Sequence, residues 1–192
     1  DTKRSLRIVS CNLGTHVDMR SLSEFISRAQ PDIIAFQEAY SNNQEVIEKI
    51  LSRDKWYLSF EGYLGIASRL KIIDSEIIKR NILGGQGELA SRYTLDGPAG
   101  NMYLFNIHLK TPRTGIEAVV YKGAAGFSTM RKVAELQDKE SRILSAWIVP
   151  HKNVLIAGDF NLTQVNPIYN KYWSRFTDAF SRTGFGFGHT WF

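Results

Sequence analysis

Apolar residues along this chain alternate between two spacings, short continuous runs and a three-to-four-residue repeat, and that alternation predicts a succession of strands and helices. Residues 6–11 (LRIVSC) form a β-branched apolar run and predict a first strand. After a polar stretch, Leu22, Phe25, Ile26 and Ala29 share one face at helical spacing, and Pro31 stops that helix. Residues 33–36 (IIAF) then predict a buried strand, because a run this short between Pro31-Asp32 and polar residues suits strand length rather than helix length. Residues 43–52 predict a second helix with Val46, Ile47, Ile50 and Leu51 inward.

Further strands are predicted over 56–60 and 63–67, joined by Glu61-Gly62, and over 72–78, 89–95 and 102–107. Asp96-Gly97-Pro98 and Gly100-Asn101 punctuate the last pair as a hairpin connection does. From 110 to 128 the periodicity fails, with Pro112 and three glycines, and the segment reads as a long loop of the functional or mobile kind. Residues 129–149 predict a long amphipathic helix closed by Pro150, and 154–157 a last buried strand. Gly84-Gly85-Gln86-Gly87 has no Gly-Lys-Ser/Thr after it and reads as a connection between strands, not a phosphate loop.

The alternation predicts a mixed α/β (α+β) chain, and neither an internal repeat nor a low-complexity linker divides its 192 residues, so one domain over 1–192 is expected. Composition changes little: 43% hydrophobic and 22% charged residues exclude a disordered or fibrous chain. No apolar run is long enough to span a membrane, and Cys11, the single cysteine, excludes a disulfide framework and a cysteine-built metal cluster. The net charge of +5 is compatible with phosphate-rich partners and equally with simple solubility.

Candidate chemistry gathers where strands end. Asn12 follows the first predicted strand, Glu38 the second and Asp159-Phe160-Asn161 the last, while His108 lies at the exit of the 102–107 strand. Side chains at such exits converge at a sheet edge. Glu38 and Asp159 are hard oxygen ligands suited to Mg²⁺ or Mn²⁺, Asn12 and Asn161 neutral orienting groups, and His108 an imidazole able to donate or accept a proton. That inventory suits phosphoester cleavage. Each residue also has an ordinary structural explanation: a carboxylate before a helix N-terminus for Glu38, an Asx turn for Asp159 and Asn161, a hydrogen-bonded buried imidazole for His108.

Order and spacing together add more. Ser10-Cys11-Asn12, Pro31-Asp32-Ile33-Ile34-Ala35-Phe36-Gln37-Glu38, Gly65-Ile66-Ala67-Ser68-Arg69, Asn106-Ile107-His108-Leu109 and Gly158-Asp159-Phe160-Asn161 resemble, in sequence order, five elements of the endonuclease/exonuclease/phosphatase superfamily. That deoxyribonuclease I-like group also includes abasic-site endonucleases, sphingomyelinases and inositol-polyphosphate phosphatases. The resemblance implies a four-layer sandwich of two mixed β-sheets flanked by helices and a divalent-metal-dependent phosphoesterase. Glu38 is then the principal ligand of Mg²⁺ (or Mn²⁺) and Asn12 a group on or beside the metal. His108 donates to the scissile phosphate, Asp159 orients or deprotonates the attacking water, and Asn161 holds phosphate or metal. The expected partner is a phosphoester, whether nucleic acid, phospholipid or sugar phosphate, met by a monomer, and the second expectation is a non-catalytic module binding phosphate or nucleic acid in the same crevice.

Lys110 and Arg113, with Lys122 and Arg131, form a basic patch that could face phosphate, and Arg92 is a further candidate for substrate contact. Tyr121 and Phe127 in the same segment could stack on a base, insert in lipid or pack locally. His16 and His151 lie in polar stretches and read as solvated. The family pattern closes with an Arg-Ile-Asp strand and a Ser-Asp-His element, whereas this sequence stops at Gly188-His189-Thr190-Trp191-Phe192. Read as a C-terminally incomplete member, with His189 structural, the chain is expected to lose about 10² to 10⁴ in rate and to leave a sheet edge uncovered.

Overall fold

The structure, a computed structural model, describes residues 5–15, 17–52 and 55–184, which form two compact units. The first takes Asp1–His108 and His151–Asp159, the second Leu109–Pro150 and Phe160–Phe192. His16 and the 185–192 stretch with His189 lie outside the described residues.

The first unit holds both sheets. Strands β1 (Ile8–Asn12), β2 (Ile33–Gln37), β3 (Tyr57–Glu61) and β4 (Leu64–Ser68) pair in the order β1-β2-β4-β3, with β1 and β2 parallel and the other pairs antiparallel. Strands β5 (Ile72–Lys79), β6 (Glu88–Gly97), β7 (Gly100–His108) and β8 (Val154–Asp159) follow in sequence order, antiparallel except for the parallel β7–β8 pair. Each predicted strand is present, and the Gly97–Gly100 hairpin lies where its turn residues put it. The α+β architecture of two mixed four-stranded sheets with helices is the one the sequence leads one to expect.

Strand β2 shows why this unit is cohesive. All five of its residues are buried, and alternate side chains serve different cores. Ile34 and Phe36 pack with Leu22 of α1 (Met19–Ala29) and with Ile47 and Leu51 of α2 (Ser41–Leu51). Ile33 and Ala35 pack with Ile66, Tyr93, Leu95 and Leu104 between the sheets. Helix α1 starts where the Asp18 carboxylate accepts from the Ser21 N–H and ends with Gln30 in left-handed conformation one residue before Pro31.

The second unit corrects the loop predicted over 110–128. Helix α3 (Arg113–Lys122) and a 3-10 turn (Gly123–Gly126) lead into α4 (Phe127–Ile148). The glycines that weakened the helical pattern serve close packing: a Cβ on Gly115 would lie 2.9 Å from the Met130 Cα, and one on Gly126 would collide with the Ala118 carbonyl. Short helices α5 (Pro167–Tyr172) and α6 (Ala179–Thr183) complete the unit, tied to α4 by the Trp173 indole N–H donating to the Ser141 hydroxyl at 3.2 Å. His151, expected in solvent, is instead packed edge-on against the rings of Tyr103 and Phe105 in the first unit.

Candidate active site

Four of the predicted residues meet at strand ends of the first unit. Asn12 is the last residue of β1, Glu38 follows β2 directly, and His108 and Asp159 are paired neighbours at the ends of β7 and β8. The Asn12 side-chain nitrogen donates to Glu38 Oε1 at 2.8 Å and to Asp159 Oδ2 at 3.0 Å. Its oxygen accepts from the Gly14 N–H at 3.0 Å, which fixes the amide with its N–H groups toward both carboxylates. His108 Nε2 lies 3.7 Å from Glu38 Oε1 and 4.0 Å from Asp159 Oδ2, distances a bound water or ligand oxygen can bridge. Side-chain exposures of 27% for Glu38, 20% for His108 and 32% for Asp159 leave the cluster open to a small substrate.

The cluster includes one strained backbone position. Glu38 has φ +54°, a left-handed conformation that costs a non-glycine residue about 1–2 kcal/mol. Asn43, buried in the first turn of α2, holds that turn by donating to the Glu38 carbonyl at 3.3 Å and the Gly14 carbonyl at 3.0 Å. Gly158 has φ +140°, and a Cβ there would collide with the Ile107 backbone, so a bare backbone at this position lets β8 pair with β7 and present Asp159 beside His108.

Beneath the cluster, a buried amide network connects the sheets. Asn106 donates to the carbonyls of Phe36 at 2.8 Å and Gly65 at 3.0 Å and accepts from the Gln37 amide at 2.7 Å. Gln37 in turn accepts from the Ser10 hydroxyl at 3.3 Å. Gln37, Asn43 and Asn106 were not singled out as chemistry-bearing from the sequence, although two of them adjoin Glu38 and His108 by one or two positions.

A cleft of about 240 Å³ opens from Glu38 and His108 and is lined also by Tyr40, Tyr63, Arg80 and Gln86-Gly87. The tyrosine rings lie 4.7 Å apart. Burial, and then the neighbouring Glu38 carboxylate, push the Tyr40 hydroxyl up, which keeps it protonated through neutral pH. The Arg80 guanidinium donates to the Glu88 and His108 carbonyls, a role for this residue that no local motif signals.

Other predicted residues lie elsewhere. Arg92 sits across from Phe105 in the β6–β7 pair, one position out of step with Asn106, and pairs with Asp74 at 3.1 Å and Glu76 at 3.0 Å on the sheet face turned away from that network. Asn161, Lys110 and Arg113 belong to the second unit. There Asn161, at φ +50°, donates to the Leu109 carbonyl at 2.9 Å, and Gln137 donates to the carbonyls of Lys110 and Asn161 at 2.7 and 3.2 Å.

A sequence profile of the Endonuclease/Exonuclease/phosphatase family matches residues 9–192, a span that takes in every strand-end residue above. The chain belongs to the Endonuclease/Exonuclease/phosphatase family. Solved structures share its fold. TDP2 from D. rerio complexed with single strand DNA product is 20% identical at a TM-score of 0.64, covering 87% of this chain and 64% of that one. Sphingomyelinase C from Streptomyces griseocarneus is 15% identical at 0.62, covering 88% and 69%. The 3′ phosphatase NExo from Neisseria, bound to product DNA hairpin, is 14% identical at 0.56, covering 84% and 60%. The family member described here therefore spans less than two thirds of the D. rerio TDP2 chain. No curated protein matches it by sequence.

Proposed function

We propose that this chain is a divalent-metal-dependent phosphoesterase whose reacting groups are Glu38, Asp159 and His108, positioned by Asn12. The observation that supports this most is the shared amide: two carboxylates and an imidazole converge on one open point while Asn12 donates to both carboxylates.

The donor set suits a hard cation. Two carboxylates face the cluster, and among the described residues no group of three His, Cys, Asp or Glu side chains encloses an ion by itself. Mg²⁺ is commonly bound that way, through one or two carboxylates, retained waters and substrate phosphate. Glu38 would hold Mg²⁺ or Mn²⁺, and when bound the ion polarises the phosphoryl oxygens and acidifies water. Asn12, on or beside the ion, donates to both carboxylates and so orients them. Asp159 takes the proton of the attacking water, and His108 donates to the phosphoryl oxygen on which charge develops. Asn161 steadies the chain after Asp159 through its bond to the Leu109 carbonyl. Nucleic-acid phosphoesters come first among the proposed substrates, a reading supported by the DNA products bound to two of the similar structures, and phospholipid comes next, supported by the sphingomyelinase.

The test is hydrolysis of bis-p-nitrophenyl phosphate, a DNA oligonucleotide and sphingomyelin with and without Mg²⁺ by the chain and by Glu38→Ala and Asp159→Asn. Metal-dependent turnover lost in both variants is expected. Salt-sensitive oligonucleotide binding that survives both substitutions, with no turnover by any form, would replace the enzyme with a phosphate-binding module.

A further inference from the structure

The α3–α4 hairpin carries two features that the phosphoesterase reading leaves unused. The first is an exposed apolar stripe. Ile116, Val120 and Tyr121 on α3 and Phe127 and Met130 on α4 all stand in solvent, Val120 at 71% and Tyr121 at 82% exposure, so these two project from the hairpin end. Close packing at Gly115 and Gly126 holds the helices together, which keeps the stripe on a firm support. The second is charge. Residues 110–132 contain Lys110, Arg113, Lys122, Arg131 and Lys132 against the single carboxylate Glu117, a local excess of +4 in a chain whose total is +5. Arg131 also faces Glu135 at 3.6 Å, an exposed pair, and counting through Glu135 leaves an excess of +3 over residues 110–135.

We propose that this hairpin docks the chain onto a lipid surface carrying anionic headgroups. Projecting aliphatic and aromatic side chains enter the headgroup layer, and the flanking cations meet its negative potential. Lys122 adjoins Tyr121 in sequence and is exposed, with a stem long enough to keep its ammonium at the headgroups while the ring enters. A second copy of this chain fits the surface poorly, since an isologous pairing would oppose two such positive patches. Nucleic acid fits less well than lipid, because Ile116, Val120 and Met130 offer its bases no stacking face. The inference is independent of catalysis and stands or falls on binding alone.

The experiment is co-sedimentation of the full chain with phosphatidylcholine vesicles with and without phosphatidylserine, accompanied by hydrogen exchange over 113–132. Strong partitioning to the phosphatidylserine vesicles with slowed exchange in that segment is expected. A Val120→Ser, Tyr121→Ser double variant should lose about tenfold or more in partitioning. Each of Lys122→Gln and Lys132→Gln should lose about fivefold. Circular dichroism identifies any variant that fails to fold, and the exchange experiment on the unaltered chain decides the question without variants. Equal partitioning to both vesicles, binding to neither, binding only to a single-stranded oligonucleotide, or self-association that protects 113–132 in the absence of lipid would each overturn the proposal.

Discussion

The strand-end cluster and the α3–α4 hairpin are built on opposite plans. Around the cluster polar groups are held by specific hydrogen bonds: the Asn12 amide by the Gly14 N–H, the Glu38 carbonyl by the Asn43 side chain, and the sheets beneath by Gln37 and Asn106. On the hairpin the backbones are fixed, by glycines at the helix contact, and the apolar side chains of Ile116, Val120 and Tyr121 are exposed. The contrast separates a place organised for geometry, where a small displacement matters, from one organised for area and charge, to which several side chains each contribute a modest share.

The sharpest way to break the comparison is Glu38→Gly. Turnover should fall by about 10³-fold, since the carboxylate goes. Stability in urea should rise by about 1 kcal/mol, because glycine adopts φ +54° without penalty. A variant that loses activity and stability together would mean that Glu38 is a structural residue.

Asn106→Leu comes next. It leaves the Phe36 and Gly65 carbonyls and the Gln37 amide buried without their partner, and unfolding in urea should show a loss on the order of 3 kcal/mol. A loss below about 1 kcal/mol would mean that the sheets do not depend on this network.

Gly115→Ala on the hairpin should have the smallest effect. The 2.9 Å approach to the Met130 Cα forces the helices apart at a cost of about 1–3 kcal/mol, and alanine's higher helix propensity offsets about 1 kcal/mol of it. A net gain in thermal stability would show that the crossing adapts easily.

What the sequence made legible follows the same division. The strands and the positions of Asn12, Glu38, His108 and Asp159 could be read because short apolar runs end at each of them. Helix α3 could not, because Gly115 lowers local helical preference for a gain that appears only when Met130 arrives from α4. The network was missed for a related reason. Asn106 looks like one more polar residue near a strand exit, and its carbonyl partners in β2 and β4 are 70 and 41 positions away. The orientation of Arg92 is not legible from its own segment, because it depends on register across the hairpin, where Arg92 lies opposite Phe105 and Ser91 opposite Asn106.

Asn106 also bears on how the first unit comes apart. Both of its N–H groups and its oxygen are committed to residues of the other sheet, Phe36, Gly65 and Gln37. Parting the sheets would strand all three at once, so neither sheet can open while the other persists. The two sheets should therefore melt as one cooperative foldon, with the amide protons of β2 among the last to exchange with solvent.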